Sequence, residues 1–245
     1  MLAILGGSGL SQLPWLEGVR RKVVGTPFGA PSAPLTLGRI GKREVIFLAR
    51  HGDGHTLAPH QVNYRANIRA LKDEGVTKIV SVATVGGIRR DYGPGVLVVP
   101  DQIIDYTWGR AATFFEGPEA KVTHIDFTQP YSAEMRRRIL AAAAACREVV
   151  ADGGVYATTQ GPRLETAAEV AKLERDGADL IGMTGMPEAS LAREAGLDYA
   201  AIAVVANHAA GKGDSAESIS LDAIEAVVRK AMERVRRILE QVAAA

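Results

Sequence analysis

At 245 residues, 47% hydrophobic and 23% charged, the chain suits one α/β domain with a core of ordinary size. Its net charge of +1 excludes a global basic field for nucleic acid or an anionic membrane, so any anion must be held by a local site. The single cysteine, Cys146, excludes internal disulfides and suits a reducing cytoplasm. The start MLAILGGSGL lacks the basic region of a signal peptide, and no apolar stretch approaches the ~20 residues of a membrane span.

In chain order, apolar runs rich in Val, Ile and Ala occupy residues 2–5, 45–49, 79–85, 96–99, 180–183 and 199–206. Their hydrophobicity is continuous rather than alternating, which predicts strands buried on both faces. Helical patterns cover 62–74, 133–149, 166–176, 187–195 and 221–243. Pro187 suits a first helical turn. Ser220 is placed to cap the last helix, which carries Ile224, Val227, Val228 and Ala231 on one face. Cys146 lies in an alanine-rich helix and reads as packing. The Pro- and Gly-rich segment 25–34 reads as a surface loop. Residues 110–130, with Phe114, Phe115 and His124, form a long irregular excursion of a kind that is usually functional or interfacial. No linker divides the chain. The expected fold is a single α/β domain over 1–245, a mixed central sheet flanked by helices.

In open α/β sheets, ligands bind beyond the carboxyl ends of the strands. There the apolar runs are followed by Gly6-Gly7-Ser8-Gly9, by Arg50-His51-Gly52, by Thr84-Val85-Gly86-Gly87, by Thr184-Gly185 and by Asn207-His208. Glycine amides, hydroxyls and a guanidinium are the components of an oxyanion site. Singly, each also has a plain structural reading: a tight turn, a surface ion pair, a helix cap, a turn asparagine. Their convergence at successive strand ends favours the anion site.

Competing motifs fail on particular residues. The dinucleotide fingerprint needs a third glycine where Gln12 stands, and Pro27 and Phe28 occupy the region of its acid. A nucleophile elbow needs glycine where Leu10 stands, and Gly211-Lys212-Gly213 is not a P-loop. His51, His55 and His60 are close in sequence but lack the H-E-x-x-H arrangement of a metal site. A nucleoside hydrolase would bring clustered aspartates for calcium, which are missing from the sequence.

The segments GGSGL, TPFGAPSAPL, FLARHG, VNYRANIRALK, QGPRLET and GMTGMPEASLAREAGL resemble the trimeric purine nucleoside phosphorylases and methylthioadenosine phosphorylases, from about residue 3 to residue 240. The resemblance is strongest to the methylthionucleoside branch. It implies an α/β phosphorylase fold, a cytoplasmic homotrimer, a small-molecule nucleoside substrate, and inorganic phosphate as co-substrate with no metal or other cofactor. By motif, Ser8, Arg50, His51 and Thr184 should hold phosphate, with Ala83 and Thr84 at a further phosphate and sugar position. Ala83 stands where some relatives carry threonine. Met183 should pack against the ribose. Leu164, Glu165 and Asn207 should face the base, with Leu164 replacing a phenylalanine found in many relatives. Leu221 and Ile224 should line an apolar pocket for a 5′-methylthio group, and His124 should reach the 5′ end of the nucleoside in a neighbouring subunit. Arg50, Glu165 and Asn207 are the expected catalytic set. Adenosine-cleaving relatives carry aspartate at the position of Asn207 and a small polar residue at that of Glu165, so a 6-oxopurine is expected here. The implied reaction is phosphorolysis of S-methyl-5′-thioinosine, with inosine and guanosine, or methylthioadenosine, as alternatives.

Overall fold

The computed structural model describes residues 1–10, 13–118 and 120–244; Gln12, which breaks the dinucleotide fingerprint, lies outside them. The strands are β1 (Leu2–Gly6), β2 (Glu17–Lys22), β3 (Leu35–Ile40), β4 (Arg43–Ala49), β5 (Lys78–Gly87), β6 (Leu97–Val99), β7 (Gln102–Asp105), β8 (Ala151–Asp152), β9 (Val155–Thr158), β10 (Leu180–Gly182) and β11 (Asp198–His208). The helices are α1 (Tyr64–Asp73), α2 (Ala133–Ala145), α3 (Ala167–Arg175), α4 (Gly185–Glu194) and α5 (Leu221–Ala244).

All strands join one mixed sheet, as the composition and alternation of elements predict. Its main path runs β2-β3-β4-β1-β5-β10-β9-β7, with β11 along the other side of β5 and β6 and β8 continuing from β11. β1 is parallel to both β4 and β5, and β11 is parallel to β5, while β10 meets β5 antiparallel. The central strands bury nearly every residue, and α2, α4 and α5 pack against β11. Continuous apolar runs are the sequence mark of such two-sided burial.

One topological feature positions the site. β5 is 10 residues long, whereas β1 has 5 and β10 has 3. β1 accompanies β5 only as far as the pair Leu5–Ser81, and β10 joins it only at Ile181–Gly86. Residues 82–85 of β5 therefore have no strand neighbour on that edge among the described residues. The sheet forks there, and the chain leaving β1, β4 and β10 turns into the gap.

All six expected strands are present, β6 starting one residue late and β5 and β11 extending further than the apolar runs. β2, β3, β7, β8 and β9 are additional. The last helix and its Ser220 cap match expectation, with the Ala223 N–H donating to Ser220 Oγ at 3.3 Å. The second expected helix ends four residues early, at Ala145. Pro187 departs from its expected role. Met186 is extended (φ −119°, ψ 141°), the conformation a following proline favours, so regular helix starts only beyond Pro187. Among the described residues no helix is long and apolar enough to cross a membrane.

Candidate active site

A cavity of about 610 Å³ opens at the fork. Ser8, Arg50, His51, Ala83, Thr84, Leu164, Glu165, Met183, Thr184, Asn207, Leu221 and Ile224 all line it. These residues come from seven separate stretches of sequence, so their meeting is a property of the fold. His124 does not line it; it is exposed on the excursion.

At one end of the cavity, Gly6-Gly7-Ser8-Gly9 forms a turn closed by the Leu10 N–H donating to Gly7 O at 3.0 Å. Gly9 has φ +81°, and a Cβ there would lie 2.3 Å from Val228 of α5. Gly7 is needed for close approach: its Cβ would lie 2.6 Å from Val82 O and 2.9 Å from Arg50 Nη1. The Thr84 hydroxyl donates to Ser8 O at 3.2 Å, tying the turn to the open edge of β5. Thr184 makes no side-chain capping bond, and its N–H faces the Tyr156 hydroxyl at 3.4 Å. The glycine turn and the Ser8 and Thr184 side chains thus line one end of the cavity, where an anion fits.

Arg50 is fully buried beneath this end. Its Nε donates to Glu188 Oε2 at 2.6 Å and its Nη2 to Glu188 Oε1 at 2.9 Å. Nη2 also donates to Ser81 Oγ at 2.6 Å, and Nη1 to Val82 O at 3.0 Å. Ser81 and Tyr199 each donate a hydroxyl to the same Glu188 oxygen, at 2.7 and 2.8 Å. Burial disfavours the guanidinium charge, but Glu188 more than offsets it and holds the pKa of Arg50 above its ordinary value. The Nε and Nη2 side of the fork is thereby engaged by Glu188, and the Nη1 side, facing Gly7, is what remains toward the cavity. Glu188 was not singled out from the sequence, where it reads as an ordinary first-turn acid of α4. Its signal is a charge inside a helix face that is otherwise buried and apolar.

His51, also buried, has its pKa lowered to about 4, first by burial and then by the Arg50 charge. Its Nδ1 lies 2.9 Å from Leu57 O, and a carbonyl only accepts, so Nδ1 carries the proton and Nε2 is bare. The neutral ring lies beside His55 with centroids 4.4 Å apart.

The cavity wall also carries Glu165 and Asn207. Thr166, with Glu169, forms the capping box of α3, so Glu165 is free of any capping duty. Its Oε1 accepts from the Thr159 hydroxyl at 2.6 Å. Asn207 sits at a bulge in the β11–β5 register and donates Nδ2–H to His208 O at 2.6 Å, leaving its amide one further N–H and the carbonyl oxygen. Arg110, from the long excursion, ties this wall to the anion end. Its Nη1 donates to Met183 O and Met186 O at 2.8 and 2.7 Å, and its Nη2 to Gln160 O at 2.8 Å and Thr159 O at 3.2 Å. Arg110 lies far in sequence from everything it binds and carries no motif, so nothing singles it out before folding. Leu221 and Ile224 supply an apolar corner at the start of α5, where Leu221 is 70% exposed.

The fork cavity, lined by a glycine turn, hydroxyls, a carboxylate and an amide, is the candidate active site of an α/β enzyme. The chain belongs to the phosphorylase superfamily, whose model matches residues 1–244. It is 55% identical over 216 residues, 88% of this chain and 86% of the relative, to the probable S-methyl-5′-thioinosine phosphorylase of Xanthomonas campestris pv. campestris. It is 42% identical to the 6-oxopurine nucleoside phosphorylase of Pyrococcus furiosus, covering 97% of this chain and 90% of that one. Among solved structures, methylthioadenosine phosphorylase from Schistosoma mansoni in complex with adenine superposes with a TM-score of 0.92 at 36% identity, over 99% of this chain and 90% of that one.

Proposed function

We propose that the chain catalyses phosphorolysis of S-methyl-5′-thioinosine to hypoxanthine and 5-methylthioribose 1-phosphate, with inorganic phosphate as the nucleophile and no other cofactor. The observation that carries this reading is the pairing, across one cavity, of a carboxylate and an amide (Glu165, Asn207) with an anion end (Gly7, Ser8, Thr84, Thr184). Cleaving the glycosidic bond builds positive charge on the sugar and negative charge on the departing purine. A phosphate dianion held at the anion end stabilises the sugar cation and attacks C1′ with inversion. Asn207 donates toward N7 as charge arrives on the base, and Glu165 accepts the N1–H that hypoxanthine carries and adenine lacks. Donors aimed at developing charge in a dry site are usually the largest catalytic contribution, and holding both reactants in register removes further entropy. Met183 packs on the ribose, and the Leu221–Ile224 corner takes the methylthio group. Names of relatives at up to 55% identity support the substrate.

The test is purine release from methylthioinosine with and without phosphate. Hypoxanthine should appear only with phosphate or arsenate, and rapid release in phosphate-free buffer overturns the reading. The 6-oxopurine name of the Pyrococcus relative favours a second reading, in which inosine and guanosine are the substrates. An apolar 5′ corner argues against it, because burying an unpartnered hydroxyl costs about 1–3 kcal/mol. Equal efficiency on inosine would move the assignment there.

The same reading includes a cytoplasmic homotrimer. His124 stands exposed and away from its own cavity, as suits a residue completing a neighbour's 5′ pocket. Light scattering should give three chains, and a stable, fully active monomer overturns the shared site.

A further inference from the structure

Glu165 stands between two cavities. One is the substrate cavity; the other, of about 300 Å³, is also lined by Thr159, Arg163, Glu169 and Lys172. On that second side the cavity is also lined by two cations, Arg163 and Lys172. Arg163 is already paired with Glu169 at 2.7 Å and feels the Glu165 charge, and Lys172 lines the same space. Left to itself, the carboxylate has two directions open to it: toward the base or toward this second cavity, where Arg163 is paired with Glu169 and Lys172 lies 3.6 Å from Asp176.

Thr159 arbitrates. Its main chain is engaged at both groups, the N–H donating to Gly182 O at 2.8 Å and the C=O accepting from Arg110 Nη2 at 3.2 Å. With the backbone pinned, the direction of the hydroxyl is set by its rotamer alone. That hydroxyl has one proton and two acceptors, Glu165 Oε1 at 2.6 Å and Gly182 O at 3.3 Å. The nearer, charged acceptor takes it. One carboxylate oxygen is thereby tethered from behind, and Oε2 is left as the acceptor.

We propose that Thr159 is a positioning residue for base specificity: its hydroxyl tethers Glu165 Oε1 so that Oε2 faces the substrate cavity as a fixed acceptor for an N1–H, and without it the carboxylate turns toward Arg163 and Lys172. The proposal rests on the 6-oxopurine reading above. It assigns discrimination between purines to a side chain outside the lining of the substrate cavity, through a hydroxyl that its isostere valine lacks.

The experiment measures kcat/KM for methylthioinosine and for methylthioadenosine on the wild type, Thr159→Val and Thr159→Ser, with thermal midpoints for all three. A charged hydrogen bond is worth about tenfold or more, so Thr159→Val should lower the inosine-to-adenosine ratio by at least about tenfold. Thr159→Ser, which keeps the hydroxyl, should retain the wild-type ratio. A purely structural role lowers both efficiencies together and leaves the ratio unmoved. Should Thr159→Val fold poorly, hypoxanthine and adenine affinities on Thr159→Cys, measured by calorimetry, give the same ratio. A wild-type ratio above ten that Thr159→Val leaves within twofold overturns this proposal alone. A wild-type ratio at or below one overturns the 6-oxopurine reading and this proposal with it.

Discussion

Both carboxylate oxygens of Glu188 are held by the Arg50 guanidinium, Nε at 2.6 Å and Nη2 at 2.9 Å, with neither side chain more than 1% exposed. Removing one partner of such a pair strands a buried charge, which costs about 3–5 kcal/mol. Glu188→Ala should therefore lower unfolding stability by about that much, read as a drop in the urea midpoint at unchanged slope. A loss below about 1 kcal/mol would show that water or another group compensates the arginine.

The same pair separates stability from phosphate binding. Arg50→Met alone leaves Glu188 uncompensated, so its effect mixes folding with function. The double variant Arg50→Met with Glu188→Leu removes both charges and should recover part of the lost stability, short of the wild type because Ser81, Tyr199 and Val82 O lose their partners. It should not recover phosphate use. One charge-assisted donor, Nη1–H, is lost from the anion end, so KM for phosphate should rise about 10–150-fold. A double variant with wild-type phosphate KM would remove Arg50 from the phosphate site.

Gly7 gives a steric test of the same end. A methyl group at this position would meet Val82 O at 2.6 Å and Arg50 Nη1 at 2.9 Å, so the turn must shift away from β5. Displacement of catalytic geometry by about 1 Å costs on the order of 100-fold. Gly7→Ala should lose about that much in kcat/KM for phosphate, while Gly25→Ala, where a Cβ meets nothing within 4 Å, should behave as wild type. Matching kinetics for the two variants would refute the close-approach role.

Much of this site is legible in the sequence because the fold places it at strand ends. An apolar run marks a central strand, and the first polar or glycine residues after it face the cavity. Ser8, Arg50, Thr184 and Asn207 are all found this way. β2 escapes the same logic because all its residues are exposed; a sheet-edge strand reading EGVRRK has no apolar run to show. β7 to β9 are short, and only β9 is mainly buried, so their periodicity is too brief to register. Glu188, Arg110 and Thr159 are invisible for another reason: each acts on a residue already singled out, through contacts that exist only after folding. The long excursion illustrates the limit. Its length marks it as functional, yet within one chain its contribution to the cavity comes from Arg110 at its start, not from His124.

His51 sets a pH dependence. Its folded pKa is lowered to about 4, from an unfolded value near 6.5. Between those values the unfolded chain binds the proton and the folded chain does not. Stability from the neutral ring is therefore complete above about pH 6.5 and is lost as the pH falls toward 4, by about 3 kcal/mol in all. Urea midpoints between pH 7 and pH 4 should show this decline. His51→Asn, which keeps a donor for Leu57 O, should flatten it. An unchanged slope in the variant would assign the acid sensitivity to other groups.

The base wall carries the sharpest test. Glu165 lines the cavity and takes no part in the α3 capping box, and Asn207 faces it from the β11 bulge. Hypoxanthine and guanine bear a hydrogen on N1 that a carboxylate accepts. Adenine presents a lone pair there, which repels the carboxylate and leaves it unpaired. A buried polar group deprived of its partner is an effective means of rejection. A charged hydrogen bond of about 1.5–3 kcal/mol sets the discrimination at tenfold or more in favour of methylthioinosine. Exchanging the pair, Glu165→Ser with Asn207→Asp, removes the N1–H acceptor and places a carboxylate where a protonated N7 or the adenine amino group can be met. The ratio of kcat/KM values should then move toward methylthioadenosine by at least that factor. Glu165→Ser alone should lose methylthioinosine turnover without gaining the adenine substrate, because Asn207 still matches the 6-oxo base. A wild-type enzyme that prefers methylthioadenosine, or a double variant whose preference does not move, would take specificity away from these two residues.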